Sequence, residues 1–535
     1  MIFAVGALIA LHGIASIPLD GHEALVAQTA QEMHDRDLWV VPYYNGEPRL
    51  AKPPLNYWLT RVIATAAGAT NRIEPWHVRL TSVVSGLALI AIIVFVTASL
   101  FDRSTGVVAA ALAVASTAFF SGTHDGRSDM LYTLWCATGI AGFVYAWSKP
   151  GERAERVGIY GMWTAFGLAT LTKGPHVPCM FFAAMVIFCL LRAPDCAAAV
   201  RRLRPLTGVV LAASVSTPWW IALRRRIGAE ALHESQLSGS LLHARWDKAL
   251  DPYYLYKPLV YVLPWVVLVP AVVRVLKRRE LRSDGVVLLA LLYVVPVLAL
   301  TCGPQKRLIY ALPAWVPLTG LIAAATVSYV RDASPEELEA VRRWFLPAHA
   351  LLAAAAAAAI VIASGSLPSR LLAMAALLFA VAGARISVRQ ASMRMEPLGQ
   401  IVIAAGLAGS VFVAAGGSTL FFEETRYEKV RLASVINDVA APDVPLATLG
   451  LSASPYVYYA RRRIDELAGP EELEAWLMRA PEGQGVLLVA TGLLPKLPGS
   501  VTREVLDGFA DPDDATTLVR VRRASGSNSV SEQPK

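Results

Sequence analysis

Apolar residues fall along this chain in runs of roughly 16–22, parted by short charged loops, and a helix needs roughly 20 apolar residues to cross a bilayer. Thirteen candidate spans result: 1–18, 80–100, 105–121, 130–147, 157–172, 176–191, 206–222, 258–275, 285–301, 308–328, 345–363, 370–385 and 398–416. Lipid offers the backbone no water to pair with, so each run predicts a helix and residues 1–418 predict an all-α polytopic membrane domain. The pattern changes in residues 19–79. There Leu25, Val26, Thr29, Ala30 and Met33 share one helical face and Glu23, Gln28, Gln31 and Glu32 lie off it. That spacing predicts an amphipathic helix able to lie on a membrane surface. Trp39 to Pro42 reads as extended, Asn45-Gly46 as a turn, and Pro53-Pro54 restarts the chain toward a second amphipathic helix. A second polar interval, 223–257, ends in aromatic residues at Tyr253, Tyr254 and Tyr256, a composition suited to headgroup level. Beyond residue 418, short apolar runs at 446–449, 456–459, 486–489 and 518–521 alternate with a helical pattern at 470–479. They predict a small α/β domain over 419–523. The Ser-rich stretch 524–535 predicts a disordered tail.

Composition agrees with a membrane protein: 55% of the 535 residues are hydrophobic and 17% charged, against about 25% charged in soluble domains. Lys and Arg divide unequally between the two sets of short loops, nineteen against five. The richer set belongs in the cytoplasm. The N-terminus is then cytoplasmic and the C-terminal domain lies outside, which in a bacterium is the periplasmic face of the inner membrane. The net charge of +8 is mostly this asymmetry. No basic stripe with interleaved aromatics suggests nucleic acid. Met1 to Pro18 lacks a basic n-region, so an uncleaved first span is expected. The five cysteines suggest no disulfide framework.

Ionisable residues recur at helix ends on the side assigned to the outside. Asp20, His22 and Glu23 follow the first span; Asp129 enters the fourth; Lys173 joins the fifth and sixth; Lys306, Arg307 and Tyr310 enter the tenth; Lys52 precedes Pro53-Pro54. Charges beside spans are costly and mark functional candidates. Each also has a plainer explanation. Asp20 with Glu23 fits a capping box, Asp129 fits a helix cap, and Lys306 with Arg307 fits snorkelling interface cations. The chemistry that would use the set is displacement at a sugar linked to a lipid phosphate. Cations near the phosphate stabilise the leaving group, and a carboxylate or imidazole removes the acceptor proton. No nucleotide-binding Gly-rich loop and no metal-ligand spacing stand out, although Asp20, His22 and Glu23 could hold a divalent ion. A transporter or lipid flippase is the rival class, but it would place ionisable residues near mid-membrane.

The order Glu23-Ala24, Gln31-Glu32-Met33, Asp37 to Pro42, Asn45-Gly46, Lys52-Pro53-Pro54-Leu55 and Tyr57-Trp58 resembles the first outer loop of the aminoarabinose (lipid A) transferases. These are relatives of the protein O-mannosyltransferases in the GT-C class of membrane glycosyltransferases. Asp129, Leu171 to Gly174, Pro252 with Tyr253-Tyr254, Pro264-Trp265, and Lys306 with Tyr310 extend the resemblance over residues 19–315. It implies a GT-C-like fold, a polyprenyl-phosphate-sugar donor, an acceptor among envelope lipids, glycans or proteins, and inversion at the anomeric carbon. It also implies that Lys52 and Lys306 contact the donor phosphate with Tyr310 nearby, and that Glu23 and Asp129 belong to the reaction chamber. Two positions depart from the family. His22 stands where members commonly carry Asp, leaving the base open between Asp20 and His22, and Ala51 stands where they usually carry Glu.

Overall fold

The computed structural model describes residues 2–69, 71–149, 151–228, 250–268, 283–332, 425–510 and 515–523, with a few single positions besides. The expected spans 345–363, 370–385 and 398–416, most of the interval 223–257 and the tail 524–535 lie outside or largely outside the described residues.

Helix α1 (Ile2–Leu11) is followed by α2 (Gly21–Asp35), a hairpin of β1 (Tyr43–Tyr44) and β2 (Glu47–Pro48), and α3 (Leu55–Ala66). The hairpin turn is Asn45-Gly46, with φ of 56° and 86°. Two positive φ values make the tight turn that matches strand twist, which Asn-Gly tolerates best. Next come α4 (Pro75–Leu100), α5 (Arg103–Val114), α6 (Thr117–Thr123), α7 (Asp129–Ser148), α8 (Glu152–Thr172), α9 (His176–Arg192), α10 (Cys196–Arg202) and α11 (Pro205–Ile227). A short α12 (Tyr253–Tyr256), α13 (Asp284–Cys302) and α14 (Trp315–Asp332) complete the described helical part.

Among the described residues, five helical stretches are long and apolar enough to cross a membrane, and α5 with α6, bent by 56°, makes a sixth. The bend falls at Ala115-Ser116, where the Ser116 hydroxyl caps α6; the expected span 105–121 is thus broken. The expected span 258–275 begins differently too. Its described part is two 3-10 turns, Lys257–Val262 and Trp265–Leu268, on either side of the cis Leu263–Pro264 bond. The first span is shorter than expected, since α1 stops at Leu11.

Helix α2 corrects its expected setting. Val26, Ala30 and Met33 pack against Tyr57, Ala64, Ile73, Val78 and Tyr458, so its apolar face is covered by protein rather than laid on lipid. The C-terminal unit begins with α15 (Thr425–Val439) and holds β3 (Leu446–Leu449), α16 (Ser454–Ala460), β4 (Asp465–Leu467), α17 (Glu472–Arg479), β5 (Gln484–Ala490), β6 (Val501–Phe509) and β7 (Thr516–Arg523). Its five-stranded sheet runs β4-β3-β5-β7-β6, parallel across β4, β3 and β5 and antiparallel at β7 and β6. The run 456–459 falls in α16, not in a strand.

This unit is fastened to the first loop. The Asn45 side chain donates to the Ile464 carbonyl at 2.8 Å and accepts from its amide at 3.2 Å. The Tyr459 hydroxyl accepts from Leu19 N at 2.6 Å, and that of Tyr458 donates to the Ile73 carbonyl at 2.7 Å.

Candidate active site

The start of α2 divides three neighbouring polar residues between different tasks. The Asp20 carboxylate accepts from Glu23 N at 2.7 Å, and the Glu23 carboxylate accepts from Asp20 N at 3.1 Å, a reciprocal cap. Glu23 is fully buried. Arg79, at the head of α4, grips it with two 2.8 Å hydrogen bonds, and Gly126 N donates at 2.8 Å. Arg426, from α15, adds a fifth donor at 3.0 Å. Burial pushes the Glu23 carboxyl up, but Arg79, then Arg426 and the Gly126 amide, outweigh it and hold it at about 2. Glu23 is therefore a buried structural anion whose oxygens are already committed, which corrects its expected place among reacting groups. Arg79 also donates to the carbonyls of Ile14, Ile17 and Pro18, tying the end of the first apolar segment to the same knot. Asp20 is a cap with Arg426 at 3.5 Å from its second oxygen. Since Asp20 and Glu23 are tied in this way, the trio forms no cation cage, and no group of three or more His, Cys, Asp or Glu with that arrangement occurs among the described residues.

His22, between them, is exposed. Desolvation lowers its pKa, Asp20 opposes this, and Arg127, Lys52 and Arg307 lower it further. A neutral imidazole faced by cations results. Lys52 is the centre of that positive field. Burial lowers its ammonium, Asp129 opposes, and Lys173, Arg49 and Arg127 lower it further, to about 8. Desolvation and like charge both disfavour the charged form of a lysine. Among the described residues Lys52 makes no ion pair, whereas its neighbours are engaged. Lys173 pairs with Asp129, both side chains under 10% exposed, and its ammonium lies 4.7 Å from the centroid of the Tyr310 ring. Arg127 is clasped by Asp125 through contacts of 2.9 and 2.7 Å to its Nε. Burial raises the Asp125 carboxyl, to about 6, against the pull of Arg127.

The loop 124–128 is aimed by its surroundings: Ser82 donates to the Asp125 carbonyl at 2.6 Å, and Asn56 to the Gly126 carbonyl at 3.3 Å. Lys52, Asp129, Lys173, Tyr310 and His22 thus come together, with Arg307 close enough to act on His22. Lys306 does not join them through a free ammonium. It donates to the carbonyls of Thr301 at 2.7 Å and Leu300 at 3.4 Å, and lies 5.5 Å from the Tyr254 ring centroid. It closes the C-terminus of α13, where a cation offsets the unpaired carbonyls. Tyr254 is fully buried, its hydroxyl bonded to the Gln305 and Arg307 carbonyls at 3.0 Å each.

Arg79, Arg426 and Asp125 went unassigned in the sequence reading. Arg79 could have been noticed as a cation at the very head of a span. Nothing local marks Arg426, whose partner is 403 residues away.

Comparison with known proteins places this arrangement among relatives. Residues 51–221 match the family described as dolichyl-phosphate-mannose-protein mannosyltransferase. The undecaprenyl phosphate-alpha-4-amino-4-deoxy-L-arabinose arabinosyl transferase of Pectobacterium carotovorum is 29% identical over 347 residues, 61% of this chain and 59% of that protein. The protein of the same name from Aeromonas salmonicida is 28% identical over 317 residues, 57% of this chain and 55% of its own. The chain thus spans less than two thirds of the length of these relatives. The crystal structure of ArnT from Cupriavidus metallidurans bound to undecaprenyl phosphate superposes with a TM-score of 0.74 at 17% identity, covering 97% of both chains. The apo form gives 0.75, and the shared fold is common to both states.

Proposed function

We propose that this chain, an aminoarabinose-transferase-like member of the GT-C membrane glycosyltransferases, moves a sugar from a polyprenyl-phosphate donor to an envelope acceptor with inversion. The observation that carries this is the Lys52 ammonium, half-buried, unpaired among the described residues and surrounded by Lys173, Arg127 and Arg49. An unpaired desolvated cation within a positive cluster is built for an anion. In the donor that anion is the phosphodiester. As the bond from the anomeric carbon to the phosphate oxygen breaks, the phosphate goes from one negative charge toward two, and Lys52 stabilises the gain. The new bond forms from the acceptor hydroxyl oxygen to the opposite face of the anomeric carbon. The hydroxyl proton passes to a base.

His22 fits the base better than Asp20. Both Asp20 and Glu23 spend their oxygens on the α2 cap and on Arg426 and Arg79, while His22 is accessible and neutral. Asp129 holds Lys173 in place beside Tyr310. Arg307 contributes to the field at His22, and Lys306 supports the segment that carries Arg307 and Tyr310.

The membrane reading belongs to the same proposal: thirteen spans over 1–418, a cytoplasmic N-terminus, and a site and C-terminal domain (419–523) on the periplasmic face of the inner membrane. The donor would enter from lipid and the acceptor from the aqueous side. The test is transfer by the purified full-length protein in nanodiscs, followed as release of polyprenyl phosphate. Lys52→Ala and His22→Ala are expected to fold and to lose transfer by about a hundredfold or more, the usual loss when one charge-stabilising or acid–base group is removed. Wild-type rates in both would reject the site.

A further inference from the structure

The reaction chamber is unbalanced in charge, and the imbalance bears on which sugar it takes. Among the described residues, Lys173, Arg127 and Arg49 act on Lys52, Arg307 acts with Lys52 and Arg127 on His22, and the Lys173 ammonium lies 4.7 Å from the Tyr310 ring centroid. Against these five cations stand three carboxylates, and each is engaged: Asp125 by Arg127, Asp129 by Lys173, and Asp20, which also acts on His22, by the α2 cap and by Arg426 at 3.5 Å. Glu23 is buried behind them on Arg79 and Arg426. Lys52, Arg49 and Arg307 make no ion pair among the described residues. Among the described residues the Arg49 guanidinium donates to the Tyr57 hydroxyl, at 2.5 Å.

A polyprenyl phosphodiester brings one negative charge, which answers Lys52 and leaves a cationic surplus. An ammonium group on the sugar would add to that surplus and would meet no uncommitted carboxylate. A neutral sugar would meet hydrogen-bond donors. A carboxylated sugar would reduce that surplus, since desolvated like charges repel and unlike charges attract most strongly where water is scarce. We infer that the glycosyl unit carried by the donor has no protonated amine, and that an acidic unit is favoured over a neutral one. This sets the chain apart from relatives whose name specifies a 4-amino sugar, and it rests on the transfer reading above.

The experiment measures binding, so no acceptor need be known. Full-length protein in neutral-lipid nanodiscs is titrated at low salt with three polyprenyl-phosphate donors of one chain length, carrying glucuronosyl, glucosyl or 4-amino-4-deoxyarabinosyl units. The expected order is glucuronosyl tightest and aminoarabinosyl weakest, the last at least about tenfold weaker than glucosyl, the scale of one like-charge contact near a protein surface. Raising the salt to about 0.5 M should shrink both gaps, because screening acts on charge and not on shape. An aminoarabinosyl donor bound as tightly as the glucosyl donor, a glucuronosyl donor bound no tighter than it, or gaps that salt leaves unchanged would overturn the inference while leaving transfer intact. Failure of all three donors to bind would overturn the transfer reading and this inference with it.

Discussion

Replacing Lys52 by Arg should move the alkaline edge of catalysis, and the size of the movement follows from its surroundings. Desolvation and the neighbouring cations bring the Lys52 ammonium to about 8, with Asp129 pulling the other way. In the free enzyme about nine-tenths of Lys52 is then charged at pH 7 and about one-tenth at pH 9. If the charged form is what meets the phosphate, kcat/KM falls about tenfold between those pH values, because it reports the free enzyme. The profile of kcat should break later, since a bound phosphate favours the ammonium. Arginine stays charged far above this range, so Lys52→Arg should lose some rate through its different shape but have no break near pH 8. The assay is initial-rate release of polyprenyl phosphate by liquid chromatography and mass spectrometry, from pH 5 to 9.5. A wild-type profile flat to pH 9.5, or an unchanged break in Lys52→Arg, would refute the assignment of the cation.

Three further outcomes probe the rest of the site. Because its surroundings lower the pKa of His22, its imidazole stays neutral below pH 6.5, and rate should be lost only as pH falls through that lowered value; His22→Asn should abolish this limb along with most of the rate, whereas an acid limb that survives the change would refute His22 as the base. Asp129→Asn removes the charge that chiefly supports the Lys52 ammonium among the described residues, so the alkaline break should fall by up to about one pH unit; a break that stays put argues against their coupling. Arg79→Leu leaves Glu23 buried without its main partner, which costs about 3–5 kcal/mol, and thermal unfolding in detergent should drop sharply, with part of the loss recovered in Arg79→Leu/Glu23→Gln. An Arg79→Leu protein as stable as the parent would show that the pair carries no such burden.

Much of this was legible because it is written in local pattern. The bilayer length scale exposes the apolar helices, and Asn45-Gly46 declares its hairpin. The gathering of Lys52, Asp129 and Lys173 follows from placing helix ends on one side of a membrane. What stayed hidden depends on long-range pairing. Glu23 looks like a reacting acid until Arg79 and Arg426 are seen to hold it, and those partners lie 56 and 403 residues away. Lys306 looks like a phosphate ligand until its ammonium is found on the last carbonyls of α13. The break at Ala115-Ser116 and the 3-10 turns around Pro264 interrupt runs whose hydropathy is continuous, since hydropathy records solvent preference and not backbone direction. The amphipathic stripe of α2 names an apolar neighbour without saying whether it is lipid or protein.

The link from Arg426 to Glu23 has a consequence for biogenesis. During synthesis the helix bearing His22 leaves the ribosome some four hundred residues ahead of the guanidinium that finishes anchoring it. Until the carboxyl-terminal portion has been made, buried Glu23 lacks one of its two cationic partners, so a prematurely terminated polypeptide leaves the head of that helix incompletely anchored.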